Sequence, residues 1–282
     1  MTKTDSGVRQ GSTPEVSDGA ELVFRRRVVV TGKSRVVAWL HRLLPFISVG
    51  LFLLLLEAVG RLELSRVIPP FSVVVATIVE LFQGGQLESF TVSLQALGIG
   101  FGLALGLGLV VGVLTTVSKT FDYILEPYIN GFMSMPTSAL IPVLMLIFGL
   151  GQTTRVVVVF LYGFFVIAVN TQAGLRQVDP IHAEMAKAFG ARGWKYLRMV
   201  TIPTALPLML TGIRLGISRS LKGMVNSETI ISVTGIGALI IRFGRSFDVA
   251  GLYAVILLVI SLAVVLTSIV QMLETKFARR GN

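Results

Sequence analysis

Side chains able to do chemistry are sparse in this chain and fall into three groups. Thr31-Gly-Lys33-Ser34 has the ending of a phosphate-binding loop, in which backbone amides and a lysine cradle the phosphates of a nucleotide. Arg27 stands where the leading glycine of that loop belongs, and the strand-loop-helix unit it needs is missing, so the chain cannot hydrolyse ATP alone. His41 and His182 form the second group, far apart and without the Ser-His-Asp set or the His-Glu-x-x-His spacing that nucleophilic or zinc chemistry requires. Cysteine is absent, which excludes thiolate metal sites and disulfides. The third group lies in otherwise apolar sequence: Arg214, Arg219, Lys222, Asn226 and Glu228. Charge in such surroundings is expensive unless it pairs or meets water. These cations either draw an anion along a wet path, or Arg219 and Lys222 snorkel outward and Arg214 pairs with a carbonyl or with Glu228. No catalytic set emerges, and the chain is expected to bind no metal or cofactor.

The elements that hold these residues follow from composition. With 282 residues, 53% hydrophobic and 14% charged, and a mean hydropathy of +0.80, the chain reads as one all-α polytopic membrane domain. The net charge of +10 does not imply nucleic acid, because the basic residues flank apolar runs and are not interleaved with aromatics. Residues 1–42, polar and carrying Arg25-Arg26-Arg27, read as a flexible cytoplasmic extension to the membrane domain 43–282. The apolar run that follows starts too late for a cleaved signal. Six stretches are long enough to cross the hydrocarbon core: 43–60, 92–116, 127–148, 155–173, 204–222 and 250–272. Seventeen lysines and arginines flank these spans on one side and five on the other. Basic loops stay in the cytoplasm, which places both termini and the loop around Glu184 inside.

Two spans carry distinctive residues. In the second, Gly102 with Gly106 and Gly108 with Gly112 form Gly-x-x-x-Gly pairs, which predict close helix packing and not a phosphate site. The third contains Pro136 and Pro142 with Ser138 between them, so the helix must bend and leave carbonyls that need partners. Such backbone is tolerated where it is buried or lines a wet path. Between the first two spans, the segment from Ile68 to Phe82 is too short to cross and reads as an interfacial helix on the outer face.

The polar island from Glu184 to Pro203 interrupts the apolar runs. Glu184, Ala186 and Lys187 open a helix, Gly190 can take the left-handed conformation that ends it, and Pro203 closes a second short helix. This spacing, with Gly six residues after Glu184, Val200 sixteen after it and an Ile202-Pro203 pair, resembles the coupling loop of ATP-binding cassette importer permeases. Met185, Val200 and Ile202 are conservative departures from that pattern. Pro136-Thr-Ser-Ala-Leu-Ile-Pro142, Phe148-Gly-Leu-Gly151, the run from Asn170 to Pro180 and Thr211-Gly-Ile-Arg214 extend the resemblance, within the branch that carries nitrate, sulfonates and taurine.

The resemblance implies a permease subunit in a prokaryotic cell membrane, importing a small, anionic solute. Glu184, Ala186, Gly190, Ala191, Arg192 and Pro203 would form the loop that docks on an ATPase; Pro136, Ser138, Pro142, Arg214, Asn226 and Glu228 would line the translocation path. Two copies of the chain, two ATPase subunits holding ATP and magnesium, and an external solute-binding protein would complete the system. It further implies that residues 218–237 make a re-entrant outer loop; Lys222-Gly-Met-Val-Asn-Ser-Glu228 replaces the commoner aromatic-rich version. The rival is an ion-coupled secondary transporter, which needs an acid near mid-membrane; within the six stretches the only acid is Glu57, near an end.

Overall fold

A computed structural model of the chain describes residues 35–62, 67–178, 180–231 and 233–278. The expected extension and the segment 31–34 lie outside these residues, except that 35–42 already belong to the first helix. All regular structure among the described residues is helical. The chain packs as two units, 1–51 and 52–282, and the described part of the first is the beginning of α1 (Arg35–Arg61).

The expected first span lies within α1, and the double proline then leads into α2 (Phe71–Gln83). Pro70, at the start of α2, offers no side-chain cap. Glu57 supplies one from α1, accepting from the Ser72 amide at 2.9 Å, the Ser72 hydroxyl at 2.8 Å and Arg61 at 2.6 Å. The acid that an ion-coupled transporter would need is thus engaged in structure.

Among the described residues four helical stretches are long and apolar enough to cross a membrane: Leu87–Val117, Gln152–Arg176, Leu197–Ile231 and Val249–Lys276. They correspond to α3 (Leu87–Val117), α6 (Gln152–Arg176), α9 (Ile202–Ile231) with the turn before it, and α11 (Val249–Ala278). The expected third span is not one bent helix. It is α4 (Lys119–Ser134) and α5 (Ile141–Phe148), joined through a 3₁₀ turn (Thr137–Leu140) and inclined by 96°. Met135, forced toward extended backbone by the following proline, has ψ 138° and ends α4. Pro142 sits in the first turn of α5, where a missing amide costs nothing.

α6 packs against α3 and α9 to make the centre of the second unit. The seam with α3 is a stripe at four-residue intervals: Gly100, Ala104, Gly108 and Gly112, all buried. A Cβ on Gly112 would lie 2.7 Å from the Ala168 carbonyl oxygen, so the backbones meet closely there. The expected glycine pairs are therefore half used: Gly102 and Gly106 face open space with no atom within 4 Å of a built Cβ. Ala104 occupies a stripe position and hides the true register from a glycine pattern.

α9 also runs further than expected, to Ile231, past the span end at 222. Residues 218–231 are helical and continue α9; a short turn at 233–235 leads into α10 (Ile236–Arg245). Gly223 does not break α9. It admits the Tyr162 ring, whose Cγ would be 2.7 Å from a Cβ at that position.

Candidate functional site

The Glu184 island folds as a compact projection. α7 (Pro180–Ala188) ends at Gly190, whose φ of +77° is the left-handed conformation a helix stop requires. The Ala191 amide reaches back to the Ala186 carbonyl at 2.9 Å, the six-to-one closure of a Schellman motif. Ala186 and Ala191 are thus the two ends of one backbone clasp, and Ala191 is buried. Gly193, with φ +54°, starts the short helix α8 (Gly193–Tyr196). Glu184 and Arg192 are exposed on this projection. So are Met185 and Phe189, the latter 84% exposed. Large apolar side chains held out on a polar loop are what a protein-docking surface presents.

Pro203 does not close the second helix. A π-helical turn (Leu197–Thr201) carries the chain from α8 straight into α9, and Pro203 lies in the first turn of α9. The wider turn of the π segment changes the bonding partners just where proline lacks its amide, so the helix continues past it.

The polar residues of α9 separate onto different faces. Arg214 is ion-paired with Glu274 of α11 at 3.5 Å, and Thr211 donates to the same carboxylate at 2.9 Å. Its partner is neither a carbonyl nor Glu228. Arg219 and Lys222 instead line a cavity of about 280 Å³ with Phe132 and Met133 of α4, Thr137, and Tyr162 and Phe165 of α6. Asn226, one turn beyond Lys222, donates to the Tyr162 hydroxyl at 3.2 Å. Pro136 and Ser138 are exposed at the break beside Thr137, and Pro142 is exposed on α5. The aromatic wall of Phe132, Tyr162 and Phe165 has no signature in the sequence, where these rings are scattered among apolar neighbours.

Glu228 is fully buried beneath the turn after α9, not on the cavity wall. Its carboxylate accepts from the Gly237 amide at 3.0 Å, while Ser93 of α3 accepts from the Ile236 amide at 2.8 Å. Arg155, also buried, donates to Thr234 at 2.6 Å. These contacts satisfy the amides that open α10 and pin the turn to α3 and α6. A Cβ on Gly237 would lie 2.5 Å from the Thr229 nitrogen. Gly237→Ala is therefore expected to lower the unfolding temperature of the purified protein, at a cost of about 1–3 kcal/mol. Gly244→Ala, which meets no atom within 4 Å, is the matched neutral change.

Several of the described helices are long and apolar enough to cross a membrane, the pattern of a multi-pass membrane protein. Residues 104–279 match the family described as binding-protein-dependent transport system inner membrane component, and the chain belongs to it. A putative aliphatic sulfonates transport permease protein of Bacillus subtilis is 28% identical over 276 residues, covering 96% of each chain. A protein of the same description from Escherichia coli is 32% identical over 205 residues, 71% of this chain and 78% of its own. Among solved structures, the inward-facing methionine ABC transporter superposes with a TM-score of 0.58 at 19% identity, covering 72% of this chain and 99% of that one, a likeness of fold. The chain is thus an ABC importer permease, and ATP hydrolysis lies with partner subunits.

Proposed function

We propose that two copies of this chain form the translocation path for a small organic anion of the sulfonate type, and that the Glu184 projection of each copy docks on one ATPase subunit. The observation that carries the coupling assignment is the clasp at Gly190, which holds Met185 and Phe189 outward on a rigid, basic loop. The sulfonate relatives and the cations of the cavity, which have no acidic partner among the described residues, support the solute class. On this reading both termini are cytoplasmic in a prokaryotic cell membrane, an external binding protein delivers the solute, and ATP with magnesium sits on the partners. This chain itself holds no cofactor and no nucleic acid.

The two-state requirement is a stiff element joining the docking surface to the path, so that closure of the ATPases changes the exposure of the cavity. The chain continues helically from α8 through the π turn into α9, which meets that requirement. Gentle purification of the tagged chain from its native cell is expected to bring down an ATP-hydrolysing subunit. A chain that purifies alone, with uptake collapsed by a proton or sodium uncoupler, would return the ion-coupled alternative.

A further inference from the structure

Arg214, Arg219 and Lys222 lie on one helix, yet only Arg214 has an acidic partner among the described residues. The stretch Leu197–Ile231 has Arg214 at its midpoint. At 1.5 Å per residue, Arg219 and Lys222 lie about 8 and 12 Å beyond Arg214, still inside a stretch apolar enough to cross a membrane. Cations left unpaired at that depth must face water or an anion. Both face the cavity, and they share one side of α9 because a spacing of three residues returns to the same face. The opposite wall is apolar: Phe132 and Phe165 stack with ring centroids 5.0 Å apart.

We propose that Arg219 and Lys222 form an anion-binding station within the path, gripping the oxyanion head of a small organic sulfonate or carboxylate while Phe132 and Phe165 take its apolar part. The guanidinium offers a planar fork that matches an oxyanion, and the ammonium adds a point charge beside it. A volume of about 280 Å³ admits a small solute. The pairing of Arg214 with Glu274 is what this chain does with a cation that serves structure; Arg219 and Lys222 are kept for a mobile partner. The station rests on the permease and small-anion reading above, and it gives the membrane component a charge filter of its own in addition to the external binding protein.

The test uses the complete complex with its ATPase and binding protein in proteoliposomes, and radiolabelled ethanesulfonate as the transported probe. The double variant Arg219→Gln with Lys222→Gln is expected to lose about tenfold or more in uptake, the value of one or two charge-assisted hydrogen bonds. Arg219→Lys with Lys222→Arg, which keeps both charges, is expected to restore most of it. Because the chain has no cysteine, Asn226→Cys gives a single reactive thiol beside the station in a protein that retains both cations. Its labelling by a methanethiosulfonate reagent is expected to slow with ethanesulfonate and not with ethanol. Wild-type uptake in the double variant, or labelling that ethanesulfonate leaves unchanged in a transporting complex, overturns the station alone. A wild-type complex that hydrolyses ATP yet imports neither ethanesulfonate nor acetate overturns the small-anion reading, and the station with it.

Discussion

Tryptophan in place of Gly190 is expected to release the ATP-hydrolysing subunit while the spans stay inserted. Two effects act together. A residue with a Cβ at φ +77° carries a left-handed penalty of about 1–2 kcal/mol, which loosens the clasp between Ala186 and Ala191. The indole also projects where a built Cβ meets no atom within 4 Å, so nothing inside the chain resists its volume and the docking partner must. Gly190→Asn tolerates the same backbone conformation with a small side chain and should keep the partner bound. Affinity capture through a tag, followed by assay of ATP hydrolysis in the eluate, separates the two variants. Equal recovery of the ATPase with the Gly190→Trp variant would remove this loop from the docking surface; loss of the chain from the membrane fraction would mean a folding defect instead.

A severe loss of stability is expected from valine at Gly112. Valine there places a Cβ 2.6 Å from that of Thr171 and 2.7 Å from the Ala168 carbonyl, contacts that no rotamer change can relieve. Overpacking of this kind costs about 1–3 kcal/mol where side chains can move, and backbone contact puts this site at the upper end or beyond. Gly112→Val should abolish recovery of folded protein by size-exclusion in detergent. Gly102→Val, on the open face of the same helix, should be recovered at the wild-type level. If both behave alike, the seam between α3 and α6 is looser than its geometry indicates.

These two glycines also mark how far the sequence can be read. Apolar length and basic flanks locate the spans, because hydrocarbon thickness and charge asymmetry act on local sequence. The stop at Gly190 is legible for the same reason: a left-handed residue is a local requirement. Which glycines face a neighbour is not local, and Ala104 in the stripe defeats a search for glycine spacing alone. The outcome at Pro136 depends on whether two prolines bend a helix or end it. Extended backbone at Met135 and a free first-turn position for Pro142 decide for ending. Arg214 is drawn to Glu274, 60 residues downstream, by a contact between α9 and α11 that no spacing encodes. The aromatic wall of the cavity likewise exists only once α4, α6 and α9 are brought together.

The π turn at Leu197–Thr201 has a mechanical consequence. Because the chain is helical from Leu197 to Ile231, lacking only the amides of Pro203 and Pro207, the end beside the projection and the cations of the cavity belong to one continuous helix. Lys222 is 25 residues from Leu197, so about 37 Å separates them at 1.5 Å per residue. A tilt of about 10° imposed at the Leu197 end would sweep Lys222 through about 6 Å, given that rise. A displacement of that size is comparable with the dimensions of a small solute, and a break at Pro203 would have absorbed it in the loop.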